Sequence, residues 1–267
     1  MKISILTPSF NSGKYIERAI QSVLNQDYDN WEHIIVDGRS TDETPKIVKK
    51  YSHLRWISEP DKGQSDAMNK AFSKSTGDII LCLNADDEVR EDLFPYIIEQ
   101  FQNHPEIDMV VGNLEVRHPE KTYVAISSTS LEDALRFGDY NFPLNPVAYA
   151  YRRSLQLKIG PFPVNNHYTM DYWFILRAFL FGRILKQEKV LGTFYFNGDN
   201  KSADDKRSRR ELRRVRNDFV RRYFFSPRVI RHAVQIALSG FILNSKKVLF
   251  RSYKRIGAVF GVISRAK

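Results

Sequence analysis

The chain has 267 residues, 42% hydrophobic and 27% charged, the balance of one large globular domain or one domain with an appendage, which excludes a disordered or fibrous chain. Its net charge of +10 is uneven: residues 201–267 hold 19 Lys and Arg against 4 Asp and Glu, which leaves 22 against 27 in residues 1–200, a mildly acidic body with a strongly basic tail. The single cysteine, Cys82, excludes an internal disulfide and points to a reducing compartment, no secretory pattern is legible in MKISILTPSF, and no apolar stretch reaches the ~18 residues of a spanning helix.

The first half alternates two periodicities. ISILT (3–7) reads as a buried strand ended by the turn chemistry of Pro8, Ser9 and Asn11. From Lys14, the residues Tyr15, Ile16, Ala19, Ile20, Val23 and Leu24 recur at helical spacing. HIIVD (33–37) is a second strand, and Asp42 is placed to cap a helix carrying Ile47, Val48 and Tyr51. LRWIS (54–58) is a third strand, followed after Gly63 by a helix with Ala67, Met68 and Ala71. IILCL (79–83) is a fourth, which makes Cys82 a core residue, and a helix follows around 91–103. MVVGN (109–113) is a fifth. Strand and helix alternate with short joints, which predicts βαβ units: an α/β domain with a mostly parallel sheet and helices on both faces.

After residue 115 the pattern loosens. Residues 138–147 and 160–169 are rich in Pro, Asn and Gly and read as loops, and MDYWFILRAFLFG (170–182) reads as a helix ended by Gly182. The tail carries three basic amphipathic helices: 203–224, with Leu212, Val215, Phe219 and Tyr223 on one stripe; 229–242; and 247–263.

In an open parallel sheet, ligands bind beyond the carboxyl ends of the strands. Ser9 with Asn11, Asp37 with Ser40, and Asn84 with Asp86 and Asp87 are therefore expected to converge on one crevice. Two adjacent carboxylates at a strand end repel each other unless a cation offsets them, and Mg²⁺ is typically held by one or two carboxylates plus substrate phosphates. From spacing alone, the alternative role for Asp86 and Asp87 is to start a turn and cap the next helix. Arg152 and Arg153 are open between an acceptor or phosphate contact and a surface pair.

The segments, taken in order, resemble family 2 glycosyltransferases, which have the GT-A fold. TPSFN (7–11), SVLNQ (22–26), VDGRSTDET (36–44), EPDKGQSDAMNKAF (59–72) and TGDIILCLNADD (76–87) are similar to the family's nucleotide-sugar half. YRRSLQLKIGPF (151–162) and YTMDYWFILR (168–177) are similar to its acceptor-side block. The resemblance covers roughly residues 1–200. It implies a nucleotide-sugar-binding half over 1–115, an acceptor-side half over 116–200 and a basic helical tail over 201–267.

The resemblance also implies roles. Pro8 and Phe10 border the nucleotide base, Asp37 reaches base or ribose, and Asp66 and Asn84 belong to the donor site. Asp86 binds Mg²⁺ or Mn²⁺, Asp87 supports it or meets the transferred sugar, and Asp171 is the general base of an inverting transfer from a nucleotide-diphosphate sugar to a glycan or lipid-linked acceptor. Four positions depart from the family pattern. Gly38 replaces a second Asp that contacts a uracil-type base, Asn84 replaces a common Asp, Met68 a frequent Arg, and Trp173 an acid. Trp173 is then a candidate platform for an acceptor sugar. FYFNGDNKS (194–202) lies where many relatives place a His near the metal, with Asn197 or Asp199 as its replacement.

The basic tail, without a spanning segment, suits an anionic membrane surface, which implies a cytoplasmic protein peripheral on the inner face of the plasma membrane. The alternative is that its stripes pack on the domain. No nucleic-acid-binding motif accompanies the charge. Two other functions fit less of the sequence: a sugar-nucleotidyltransferase, whose Gly-rich basic triphosphate loop is reduced here to the one Gly and one Lys of TPSFNSGK, and a non-catalytic membrane-surface adaptor.

Overall fold

The computed structural model describes residues 1–136, 143, 145–197, 200, 205–231 and 234. The chain divides into two units, Met1–Phe219 and Val220–Lys267.

The first unit is built on a nine-stranded sheet. Its strands are β1 (Ile3–Ser9), β2 (Trp31–Asp37), β3 (Leu54–Ser58), β4 (Ile79–Cys82), β5 (Glu88–Val89), β6 (Met109–His118), β7 (Lys121–Ala125), β8 (Tyr149–Arg152) and β9 (Ile184–Tyr195). The spatial order is β3-β2-β1-β4-β8-β6-β9-β5, with β7 added alongside β6. β3, β2, β1 and β4 are mutually parallel. β8 enters antiparallel between β4 and β6, which restores the original direction in β6 and in β9 parallel to it. Six of the nine strands thus run one way; β8, β5 and β7 oppose them.

Helices cover both faces. They are α1 (Ile16–Leu24), α2 (Thr44–Val48), α3 (Gln64–Lys74), α4 (Leu93–Asn103), α5 (Leu131–Leu135), α6 (Arg153–Ile159), α7 (Met170–Phe181) and α8 (Asp205–Arg222). Successive strand residues point to opposite faces. Ile3 and Ile5 of β1 therefore join Ala19 and Val23 of α1 and Phe94, Ile97 and Phe101 of α4 in one core. Cys82 is fully buried in β4, as its apolar setting predicts.

The five strands and four helices expected before residue 115 are all present. α2 is shorter than expected and stops before Tyr51, with Pro45 in its first turn, where the missing N–H costs nothing. Beyond residue 115 the structure adds β7, β8, β9, α5 and α6. β8 is four residues, YAYR, with three of them buried, too short for any period to register. α7 ends at Gly182 as predicted. Of the loop expected at 138–147, only residues 143 and 145–147 are among those described, and Pro146–Ala148 forms a single 3-10 turn.

Arg152 and Arg153 serve the fold. Arg152 donates to the carbonyls of Ile107 (2.7 Å) and Phe101 (3.0 Å), and Arg153 donates to Ser75 Oγ (2.6 Å) over the Phe72 ring. Their guanidinium groups satisfy main-chain and side-chain acceptors near the ends of α4 and α3.

In α8, Leu212, Val215 and Phe219 are buried, and Trp173 meets the Phe219 ring edge-on at 6.1 Å. That part of the stripe packs on the domain, while Arg209, Arg210 and Arg213 face outward. In the second unit, a new helical turn begins at Ser226, whose carbonyl accepts the Ile230 N–H at 2.9 Å. The remainder of the helices expected at 229–242 and 247–263 lies outside the described residues. Among the described residues no helix is long and apolar enough to cross a membrane.

Candidate active site

The registers of β1 with β2 and β4 bring three carboxyl ends to one edge: Ser9 lies beside Asp37, and the Leu83 N–H bonds to the Leu6 carbonyl at 3.0 Å. The loops leaving this edge wall a cavity of about 1030 Å³. Pro8, Phe10, Asn84, Asp86 and Asp171 all line it. Asp37, Asp66 and Asp87 do not.

Asp37, expected at base or ribose, lies beneath the cavity and is fully buried. Its Oδ2 accepts the Ser40 N–H at 3.0 Å and the Ser58 hydroxyl at 2.9 Å, and its Oδ1 accepts the Ser40 hydroxyl. Ser40 Oγ accepts the Asn11 N–H at 2.7 Å, and Asn11 Oδ1 accepts the Thr41 N–H at 3.0 Å. Asn11 adopts φ 49°, a left-handed conformation that Asn tolerates. Asp37 thus braces the two loops that hold Phe10 and Gly38 on the wall. Asp66 is likewise turned away: it accepts the Lys62 N–H at 3.0 Å at the start of α3 and pairs with Lys70 at 3.4 Å, the ordinary place for an acid in a first helical turn.

The Asp86–Asp87 pair divides its work. Asp87 points inward, fully buried, and its Oδ2 accepts Asn84 Nδ2 at 2.9 Å and Asn145 Nδ2 at 2.8 Å. Burial, then the neighbouring Asp86, push its carboxyl up to about 8, against the pull of those two amides. Asn84 is fixed from its other end, where its Oδ1 accepts Gln64 Nε2 at 2.8 Å. Asp86 points to the cavity, half-buried. Its Oδ2 accepts Asn200 Nδ2 at 3.0 Å, and Asn197 also hydrogen-bonds it. Burial raises its pKa, which Arg18, Asn197 and Asn200 partly offset.

Neither acid caps α4, whose N-cap is Asp92. Asp199 lies outside the described residues.

Arg18 of α1 locks this loop. Its guanidinium donates to the Asp86 carbonyl at 2.6 Å, pairs with Glu88 at 3.0 Å and lies 3.6 Å over the Tyr195 ring. Tyr195 returns its hydroxyl to Glu88 at 2.8 Å.

Asp86 offers a carboxylate oxygen to a hard cation, which would take the rest of its ligands from substrate and water. The described residues hold no group of three or more His, Cys, Asp or Glu placed to bind a metal. They do hold one carboxylate on a cavity wall whose anionic form burial disfavours, the setting in which a divalent ion bound mainly through diphosphate oxygens is stabilised.

Asp171 sits in the first turn of α7. Phe174, three residues on, stacks on Phe162 at 4.6 Å and packs against Tyr151 at 4.9 Å. The Tyr172 hydroxyl donates to the Ala134 carbonyl at 2.7 Å, and Ser65 of α3 meets Met170 Sδ at 2.9 Å. These contacts fix the start of α7, and Asp171 lines the same cavity as the β1 loop. Trp173, two positions on, is not on the cavity wall.

Sequence reasoning missed Asn145, Asn200, Gln64 and Arg18. Asn145 and Asn200 lie in polar loops with no period, and Arg18 reads from sequence as a surface position of an amphipathic helix. Asp61 was within reach, inside the quoted EPDKG.

A family model described as Glycosyl transferase family 2 matches residues 4–174. Over 213 residues the chain is 27% identical to an uncharacterized glycosyltransferase of Nostoc sp., covering 75% of this chain and 66% of that protein's length. Among solved structures, S. aureus TarS 1-349 in complex with UDP-GlcNAc is similar at TM-score 0.64 and 19% identity, over 80% of this chain and 65% of that one. Mannosyltransferase PcManGT from Pyrobaculum calidifontis, in complex with GDP-Man and Mn2+, is similar at TM-score 0.58 and 17% identity, over 96% and 84%. These likenesses bear out the GT-A-type α/β fold expected from the sequence.

Proposed function

Because the chain belongs to glycosyl transferase family 2, we propose that it moves a sugar from a nucleotide-diphosphate sugar to a hydroxyl of a glycan or lipid-linked acceptor, in a single inverting displacement. One observation carries this reading: a single cavity holds both Asp86 from the end of β4 and Asp171 from the start of α7. The first can serve the diphosphate and the second the acceptor.

The β1 loop with Pro8 and Phe10 receives the nucleotide. Asp86 would hold Mg²⁺ or Mn²⁺, and the ion, when bound, would supply Lewis-acid stabilisation of the leaving phosphate. Asp87 and Asn84, tied together beneath Asp86, keep that carboxylate aimed at the cavity. Asp171 takes the proton from the acceptor hydroxyl as its oxygen attacks the anomeric carbon on the face opposite the diphosphate. One displacement inverts the stereochemistry. The neighbour solved in complex with GDP-Man and Mn2+ and the one solved in complex with UDP-GlcNAc support a nucleotide-sugar donor.

The reading extends to location. The cationic tail favours an anionic membrane surface, so the enzyme works as a peripheral protein on the cytoplasmic side, and nucleic acid is not a partner.

The test is a pair of variants assayed with a nucleotide-sugar panel. Asp171→Asn is expected to lower turnover by ~10²–10⁴-fold, the usual worth of general-base assistance, while nucleotide-sugar affinity is kept. Donor affinity falling in step with turnover would remove the general-base role. Asp86→Asn is expected to abolish the Mn²⁺ dependence of donor binding; unchanged dependence would place the metal elsewhere.

A further inference from the structure

β8 carries two tyrosines whose hydroxyls are treated differently. Tyr149 and Tyr151 stand two positions apart, so both side chains leave the same face of the strand, and both are fully buried. That face meets α7: the Phe174 ring stacks on Tyr149 at 6.1 Å with an interplanar angle of 14° and packs against Tyr151 at 4.9 Å. The Tyr151 hydroxyl has its partners, donating to Gln156 Oε1 at 2.7 Å and lying 3.6 Å from Cys82 Sγ. The Tyr149 hydroxyl has none among the described residues. A buried polar group without a partner costs stability and asks for an explanation. Phenylalanine would fill the same space without that cost.

The surroundings of the hydroxyl supply one. Asp171 stands three residues before Phe174, on the same side of α7. Its charge reaches Tyr149: burial first, then Asp171, then Cys82 hold the Tyr149 pKa well above the ordinary tyrosine value. The phenol therefore keeps its proton and can donate a hydrogen bond. Asp171 lines the cavity and Tyr149 does not, so Tyr149 can act through Asp171 but not on a substrate. The other titratable groups around the start of α7 are Cys82 of β4, Tyr151 of β8, His167 and Asp86 on the same cavity, and Glu211 and Arg216 of α8. α3 and α5 present Ser65 and the Ala134 carbonyl, and α6 meets Arg177 at Gly160.

We propose that Tyr149 is a positioning residue for the general base: its O–H serves the Asp171 carboxylate from a place closed to solvent and stabilises the ionised, proton-accepting form. The inference rests on the general-base reading of Asp171 given above. An O–H that donates to a carboxylate lowers its pKa, which keeps the base ionised as an acceptor hydroxyl approaches.

The experiment compares Tyr149→Phe, Tyr151→Phe and Asp171→Asn with the wild type in the full-length protein. Denaturant unfolding is read beside pH profiles of nucleoside-diphosphate release from UDP-, GDP- and TDP-hexoses with Mn²⁺. Tyr149→Phe is expected to be at least as stable as the wild type, because the hydroxyl it loses has no partner. Its donor KM is expected to be unchanged, and the acid limb of its kcat profile to move up by about one pH unit, the roughly tenfold worth of one hydrogen bond to a charged group. Without the O–H, Asp171 takes up its proton at higher pH, so turnover below the limb falls while the alkaline plateau is kept. Tyr151→Phe, which breaks the bond to Gln156, is expected to lose stability and to leave the limb in place. Added to Asp171→Asn, Tyr149→Phe is expected to change turnover by less than about twofold, since the group it serves is gone. A destabilised Tyr149→Phe, an acid limb that it does not move, or a further drop when it is added to Asp171→Asn would overturn the inference, and loss of turnover in Asp171→Asn alone would leave the general base standing. Full turnover in Asp171→Asn, or no release from any donor by the wild type, would remove the general-base reading and the inference with it.

Discussion

Asn200 donates its amide to Asp86 Oδ2 at 3.0 Å and to the Tyr195 carbonyl at 3.2 Å, joining positions 114 residues apart. The bond orients the one cavity-facing carboxylate of the pair and ties it to the end of β9. Asn200→Ala is expected to leave the fold intact and to weaken Mn²⁺-dependent nucleotide binding by about tenfold, the worth of one hydrogen bond to a charged group. Calorimetric titration with and without Mn²⁺ checks this, and equal affinity for variant and wild type would show that Asp86 needs no such guide.

Arg18 reaches the same loop from α1 through three contacts: the Asp86 carbonyl, Glu88 and the Tyr195 ring. Lysine can keep the ion pair but neither the planar stack nor the forked geometry. Arg18→Lys is expected to lower stability by ~1–3 kcal/mol, the usual cost of lost hydrogen bonds to a charged donor, and to reduce turnover as the Asp86 loop loosens. Denaturant unfolding and a kinetic assay together test it; a variant as stable and as active as wild type would refute the lock.

His33 lies fully buried in β2, with Nε2 2.9 Å from Thr7 Oγ1. Burial, and to a lesser degree His53, push its pKa down to about 3. The unfolded chain therefore takes up this proton first as pH falls. The contribution to stability is complete above the free value of about 6.5 and is lost as pH falls toward 3, on the order of a few kcal/mol. A melting-temperature series from pH 7 to pH 4 should show a shallower decline for His33→Gln than for wild type. Parallel curves would mean that other groups set the acid sensitivity.

Residues 225–267 carry nine Lys and Arg and no Asp or Glu. Each cation near an anionic bilayer contributes roughly 1 kcal/mol. A chain ending at residue 224 is expected to stop sedimenting with phosphatidylserine-containing vesicles while the full chain continues to do so at low salt. Equal sedimentation of both would remove the tail as a membrane anchor.

The parts legible in the sequence share a physical cause. β1, β2, β4 and their helices were readable because each of these strands holds a compact apolar run and each helix an amphipathic stripe, so burial is written as a local pattern. The carboxyl ends of those strands, and hence Asn84 and Asp86, followed from sheet direction, whereas Pro8 and Phe10 were implied by the family resemblance. Asp37 shows the limit: at a strand end, the same residue type can face the ligand or brace the loop, and only the neighbouring hydroxyls of Ser40 and Ser58 decide which. Asp66 is placed by similar local chemistry: as a first-turn acid it accepts the Lys62 N–H and pairs with Lys70.

An α/β chain with carboxylates delivered to one sheet edge and a cationic tail can be read from the residues alone, since hydrophobic period, strand polarity and charge are local properties of the chain. Packing in three dimensions set which acids line the cavity, that Asn197 and Asn200 hold Asp86 from beyond β9, and that Asp61 lies where a residue-38 side chain would reach. Those choices depend on distances between segments that the backbone brings together from dozens of residues away, and no local pattern records such a distance.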